Sequence, residues 1–376
     1  MHPWAGLPAR QALYAKLARH TGWRIRLLTA TKWKDEYGSE IEATADSGLQ
    51  TELIGVPVAL SGNIPLHFFV APLRRHIRDF APDMVYIYHE PYAAATFQML
   101  RAARAVVDVP VGVRSAQNLL KRYPTPFRQS EAYVYRHTDF AVVVSDNVAE
   151  VMRRKGYRRP LEVIPMPVDL SAFKPPTHRP DRTNEVLQVG FVGRLVPEKG
   201  ADTAIRAIAE THTPQLRLQI IGSGPDEQRL RSLAGSLGVE DRISWLGALD
   251  REAVARAYND MDLLVVPSRA TPRWSEQFGR VVIEAAAAEV PAVVSRSGEL
   301  PFLIASIGAG WIVGESDHKD LSAKLSALAA GRGALREAGI TARRSVQGRF
   351  SDEAIVASLA DAFSAARSRG RVCNSD

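Results

Sequence analysis

The chain has 376 residues, 46% of them apolar and 24% charged, which suits a folded protein with two domain cores and excludes a disordered chain. Its net charge of +7 lies almost wholly in residues 1–170, a basic half able to attract a phospholipid surface, a lipid diphosphate or nucleic acid, or simply to aid solubility. No apolar run reaches the roughly 18 residues a membrane span needs, no signal-peptide pattern opens the chain, and the single cysteine, Cys373, excludes an internal disulfide, so a cytoplasmic protein is expected.

Residues 2–8 read as a loop leading directly into a helix over 9–20. A doubly wound domain normally opens with a buried strand. Either that strand is absent or the true start lies upstream; the second is favoured, because a missing central strand leaves its neighbours' backbone groups without partners. Short apolar runs predict strands at 24–28, 53–58, 84–88, 109–113, 140–144 and 161–164. Two stretches, 65–80 and 119–128, mix aromatic and basic residues. A basic helix with an apolar face can lie on an anionic membrane, or Phe68 and Phe69 belong to the core and the arginines to a solvated face. No nucleic-acid motif accompanies the charge, so nucleic acid is not an expected partner.

A proline- and charge-rich stretch without periodicity, 173–184, reads as a linker between a first domain over 1–172 and a second over 185–350. In the second domain strands are predicted at 187–192, 217–221, 243–246, 263–266, 292–294 and 310–313, with helices over 200–210, 225–237, 251–259 and 279–288. An amphipathic helix over 352–369, within a last segment 351–376, is expected to pack back on the first domain. The alternation of strand and helix predicts an α/β fold with two parallel-sheet domains.

Two segments carry chemistry. In 189–200 a strand runs into Gly193, which lets backbone approach a ligand, and then into a loop bearing Arg194 and Lys199 ahead of a helix. Unpaired N–H groups at that helix start, together with two cations, suit a diphosphate; the plainer alternative is a connection with two solvated cations. The spacing is not that of a Walker loop. In 272–285, Glu276 and Glu284 are separated by seven residues, at the edge where parallel sheets bind ligands. Each carboxylate can accept hydrogen bonds from a polyol, while the amides of Gln277, Phe278 and Gly279 can hold a phosphate or sugar oxygen; either glutamate alone also reads as a solvent-facing charge. Asp260-Met261-Asp262 mimics an Asp-x-Asp metal motif, but Asp262 reads better as the mark of a helix–strand turn.

Over 186–314 the chain resembles the donor-binding domain of family 4 retaining glycosyltransferases. The residues that carry the likeness are Gly193-Arg194-Leu195 with Lys199-Gly200, Ile221-Gly222-Ser223-Gly224-Pro225, Leu246-Gly247, Val266-Pro267-Ser268 and the Glu276/Glu284 pair. Upstream, Met166 to Pro175 resembles the family's crossing between domains. The resemblance implies the GT-B fold, two doubly wound, Rossmann-like domains facing a cleft. It also implies transfer of a hexose-type sugar from a nucleotide diphosphate to a hydroxyl acceptor with retention at the anomeric carbon, the acceptor being a lipid-linked or envelope glycan. On that basis Arg194 and Lys199 bind the diphosphate and stabilise the leaving nucleotide, and Glu276 with the amides at 277–279 holds the sugar. Glu284 holds the ribose, Gly222 and Leu246 lie on the nucleotide side, and no metal or other cofactor is required. Ile87 to Tyr92 resembles an acceptor-side segment, offering His89 and Glu90. The family's histidine in the next loop is missing, and Gln117, Asn118 or His89 stands in for it. Two other readings stay open: a sugar-nucleotide epimerase on the same fold, and a non-catalytic sugar-nucleotide-binding partner.

Overall fold

A computed structural model of the chain describes residues 5–6, 8–34, 39–45, 51–176, 186–211, 213 and 215–370. The loop expected ahead of the first helix falls in part, and Cys373 wholly, outside the described residues. Two compact units result, Met1–Pro165 with Asp352–Asp376, and Met166–Ser351. The crossing therefore comes at Pro165/Met166, ahead of the 173–184 segment expected from composition. The cause is local: Val168 N–H donates to Phe350 O at 2.7 Å and Phe173 packs edge-on against Tyr258, which fastens this stretch to the second unit. Most of the expected linker, 177–184, lies outside the described residues.

The first unit runs α1 (Pro8–Thr21), β1 (Ile25–Ala30), β2 (Lys32–Lys34), β3 (Glu40–Glu42), β4 (Thr51–Val56), β5 (Val58–Ala59), β6 (Phe68–Phe69), α2 (Leu73–Phe80), β7 (Val85–Ile87), α3 (Ala94–Arg104), β8 (Val111–Ser115), α4 (Phe127–His137), β9 (Phe140–Val143), α5 (Asp146–Arg154) and β10 (Leu161–Val163). β7 to β10 form a four-stranded parallel sheet in the order β10-β9-β8-β7, and among the described residues β1 pairs in parallel with β4 alone. Every residue of β8 and β9 is buried, as expected of central strands covered by helices on both faces. Asp139 fixes the approach to β9: its carboxylate pairs with the Arg104 guanidinium and accepts the Val111 N–H at 2.7 Å. The apolar stripe of α2, Leu73 and Ile77, is buried, so this helix has no free apolar face to lay on a membrane.

The second unit runs β11 (Leu187–Val192), a 3₁₀ turn (Pro197–Lys199), α6 (Ala201–Glu210), β12 (Leu216–Ile221), α7 (Glu227–Ser236), β13 (Ile243–Gly247), α8 (Arg251–Asn259), β14 (Leu263–Val266), α9 (Arg280–Ala287), β15 (Ala292–Ser295), α10 (Leu300–Ile307), β16 (Trp311–Val313), α11 (His318–Ala330) and α12 (Arg332–Arg349). Its six strands are parallel in the order β13-β12-β11-β14-β15-β16. β14 and β15 are buried throughout, whereas edge strand β13 alternates. The order reverses direction between β11 and β14, and in such sheets the crevice outside the carboxyl ends of those two strands is where ligands bind.

The last helix, α13 (Asp352–Arg369), belongs to the first unit. Its Ile355, Leu359 and Phe363 join Leu17, Phe140 and Val142 in one apolar cluster, and Lys16 of α1 pairs with Asp352 at 2.7 Å. Among the described residues no helix is long and apolar enough to cross a membrane.

Candidate functional site

The loops after β11 and β14 bring together residues far apart in sequence. Lys199 Nζ lies 2.6 Å from Glu276 Oε2, and Ser268 Oγ donates to the same carboxylate oxygen at 3.2 Å. The indole of Trp274 lies under the ammonium, 4.9 Å from ring centre to Nζ. Arg269 ties the two loops: its guanidinium meets Asp202 at 2.5 Å and Thr203 at 3.0 Å at the start of α6, while its N–H donates to Glu198 O at 2.8 Å. Lys199 is part-exposed, and such an ion pair is worth about 1 kcal/mol or less to stability. An incoming anion can therefore share the ammonium at little cost to the fold.

Glycines let neighbouring loops come this close. Gly222 sits at φ 134°, and a Cβ there would fall 1.9 Å from Gly193 O. Its N–H donates to Gly247 O at 2.7 Å, and Gly193 N–H donates to Ile221 O at 3.0 Å, so the ends of β11, β12 and β13 are pinned side by side. Gly193 differs: a Cβ there would meet nothing nearer than the Phe191 ring at 3.8 Å. Space, not strain, surrounds it.

Glu284 stands one turn into α9, accepting from Tyr258 Oη at 3.4 Å. Burial pushes its carboxyl up to about 7, against the pull of Arg280 and Arg251. Gly279, in the left-handed region at φ 83°, caps the start of α9. The Phe278 ring is buried, 6.2 Å from Phe350, so only the backbone of Phe278 is placed to meet a ligand. Gln277 is exposed, Arg194 is half-buried in the loop after β11, and Leu246 in edge strand β13 is exposed. Asp262 accepts the Gln188 N–H at 2.8 Å at the start of β11, opposite the carboxyl edge, in the helix–strand turn role expected of it.

In the first unit the four acceptor-side candidates follow β7 and β8. His89 is buried, its Nδ1–H donating at 2.9 Å to Thr96 Oγ1, whose own hydroxyl donates to Glu90 O. Its ring packs edge-on against His67, and burial lowers its pKa to about 3, so it is neutral across the physiological range. Glu90 accepts from Ser115 Oγ and the Ala116 N–H, both at 2.8 Å, and burial raises its pKa. Both side chains brace the interior. Asn118 is buried; Gln117 is half-buried and donates to Tyr123 Oη at 3.2 Å, beneath a Tyr92–Tyr123 stack. Sequence reasoning missed Trp274 and Arg269, although a tryptophan and an arginine flanking a strand-end loop are a detectable signal.

Residues 177–345 match the family described as Glycosyl transferases group 1, and residues 11–172 match Glycosyltransferase Family 4. A D-inositol 3-phosphate glycosyltransferase from Segniliparus rotundus is 34% identical over 217 residues, covering 55% of this chain and 47% of the relative. A putative colanic acid biosynthesis glycosyltransferase, WcaL, from Escherichia coli is 28% identical over 219 residues, covering 57% and 52%. Matches to these curated relatives thus span about half their length. Among solved structures, sucrose-phosphate synthase from Thermosynechococcus elongatus superposes with TM-score 0.75 at 21% identity, covering 96% of this chain and 93% of that one. HepE from Anabaena in complex with UDP superposes with TM-score 0.71 at 18% identity, covering 94% and 96%.

Proposed function

The chain belongs to glycosyltransferase family 4, with the GT-B fold, and on that premise we propose that it transfers a hexose-type sugar from a nucleotide diphosphate to a hydroxyl acceptor with retention. The observation that carries this reading is the Lys199–Glu276 pair, backed by Ser268, at the carboxyl ends of the two strands where the sheet reverses. Lys199 and Arg194 donate to diphosphate oxygens and offset the negative charge that grows on the leaving nucleotide as the anomeric C–O bond breaks. Glu276, relieved of Lys199 by the phosphates, accepts hydrogen bonds from sugar hydroxyls, and the amides at the start of α9 hold a further oxygen. Glu284 accepts the ribose hydroxyls. These cations and the α9 N-terminus supply the field that a divalent metal supplies elsewhere, so turnover persists in a chelator.

For the acceptor, the relatives named for D-inositol 3-phosphate and for colanic acid biosynthesis support a polyol or envelope glycan, lipid-linked forms included. A hairpin in the first unit supports contact with a membrane surface: Leu60, Ile64, Leu66, Phe68 and Val70 are all exposed, beside Arg74, Arg75 and Arg78 of α2. The UDP complex of HepE makes uridine donors the first to try.

The test is thermal stabilisation and turnover with a panel of nucleotide-diphosphate sugars. One donor is expected to stabilise the wild type, by about 2.7 kcal/mol at a hundredfold excess over Kd. Lys199→Ala and Arg194→Ala should lose that shift and reduce turnover by roughly 10²–10³-fold. A panel in which nothing binds, or a Lys199→Ala enzyme with full turnover, sinks the proposal.

A further inference from the structure

The loop after β14 carries an aromatic face to which the donor reading gives no task. Trp274 is half-buried, and Lys199 Nζ stands 4.9 Å from the centre of its ring, within the roughly 6 Å over which an ammonium is drawn to an indole face. Backbone fixes that face in place. Thr271 N–H donates to Trp274 O at 2.7 Å, and Thr271 Oγ1 accepts the Trp274 N–H at 2.9 Å. Upstream, Arg269 N–H donates to Glu198 O at 2.8 Å; downstream, Ser275 is buried and Glu276 O accepts the Glu299 N–H at 3.0 Å. The loop is therefore tied on both sides of the indole, to the turn that carries Lys199 and to the start of α10.

Lys199 reaches the site on a flexible four-carbon stem. Its carboxylate partner, Glu276 at 2.6 Å, is the group that turns to sugar hydroxyls once a diphosphate arrives. A carboxylate and a phosphate compete for the three N–H donors of the ammonium. A ring face does not: it attracts the charge without accepting a directed hydrogen bond, so the N–H groups stay available. Resting on the donor-site reading above, we propose that Trp274 is the positioning residue of Lys199. The indole keeps the ammonium at the diphosphate position while its hydrogen-bond partner changes from the Glu276 carboxylate to phosphate oxygens. In the empty site Lys199 is held by carboxylate and ring, and in the occupied site by phosphate and ring. Trp274 thus acts on the donor through Lys199, and its size matters less than the negative potential of its face.

The test is a double-mutant cycle on the binding of UDP, GDP, ADP and inorganic pyrophosphate, titrated by calorimetry to concentrations at which a weakened variant is still measured. Trp274→Leu should weaken the tightest of these by about 2- to 30-fold, the range of a cation–π contact, and Trp274→Phe should recover most of that loss. In a Lys199→Met background, Trp274→Leu should cost nothing further. Tryptophan fluorinated on its benzo ring, placed at position 274 alone, keeps the shape while draining the negative face. Affinity should then fall stepwise from one fluorine to three with the melting temperature unchanged, a result that stands even if Trp274→Leu fails to fold. The proposal is overturned by affinity indifferent to fluorination, or by an equal loss on Trp274→Leu in both backgrounds. In either case, binding that Lys199→Met weakens leaves the donor site standing. If the wild type binds none of the four probes, the donor site and the role of Trp274 fall together.

Discussion

Glu284 is the residue whose chemistry is most exposed to measurement. Burial raises its carboxyl to about 7, while in the unfolded chain it ionises in the ordinary carboxylate range. The folded state therefore holds a proton that the unfolded state gives up. Glu284 costs the fold nothing at low pH, and stability falls as pH rises from the unfolded pKa to about 7, beyond which the cost is constant. On the role proposed for Glu284, donor binding runs the other way: ribose hydroxyls donating to the carboxylate favour its ionised form. Affinity for a nucleotide diphosphate should increase as pH passes from 6 towards 8, by up to about tenfold per unit below the pKa. Glu284→Gln should bind more weakly above pH 7 and flatten the profile. Calorimetric titrations at several pH values check this, and an unchanged slope in Glu284→Gln removes Glu284 from the donor site.

At the scale of elements, the loops after β11 and β12 make a contrast that separates fold from function. Gly222 is held by backbone: a side chain there collides with Gly193 O, at a φ that L-residues rarely adopt. Gly193 faces open space. Gly222→Ala should lower thermal stability by about 1–3 kcal/mol or more, whereas Gly193→Ala should leave the melting temperature within about 0.5 kcal/mol and weaken donor binding by occupying ligand space. Equal melting losses in both variants contradict the assignment. The same contrast explains what could be read from sequence. β11 and β14 were legible to the residue, because a buried parallel strand is a short apolar run cut off by turn residues. The strand pairs β2–β3 and β5–β6 are two or three residues long and carry no periodicity. Arg194, Lys199, Glu276 and Glu284 were visible as motif positions, but the Lys199–Glu276 contact and the Trp274 face are products of strand order, which periodicity does not encode. His89 was a candidate because Ile87 to Tyr92 resembles an acceptor-side segment; the His67 and Trp33 rings that enclose its neighbourhood come from distant segments, which a motif does not encode.

For the whole molecule, the proposed membrane contact makes a prediction about the charge excess in residues 1–170. The reading of a basic helix with an apolar face fails for α2, since Leu73 and Ile77 are buried, but the neighbouring hairpin supplies the apolar surface instead: Leu66 and Val70 are 45% and 58% exposed. The hairpin's exposed aliphatic side chains and the exposed Arg74 and Arg78 that follow in α2 are the groups a contact with an anionic bilayer would use, where each cation near the surface contributes about 1 kcal/mol and each buried methylene about 0.8 kcal/mol. The two contributions separate by salt. Raising ionic strength from about 0.1 M to about 1 M shortens the screening length from about 10 Å to about 3 Å and should release the chain from phosphatidylglycerol vesicles. Phosphatidylcholine vesicles should bind little at any salt, because the aliphatic contribution alone is too small to hold the chain. Leu66→Ser with Phe68→Ser should weaken binding to phosphatidylglycerol without changing its salt dependence, whereas Arg74→Gln with Arg78→Gln should reduce that dependence. Co-sedimentation with both lipids reads all of this, and equal binding to the neutral and anionic vesicles would show that the basic half of the chain serves solubility alone.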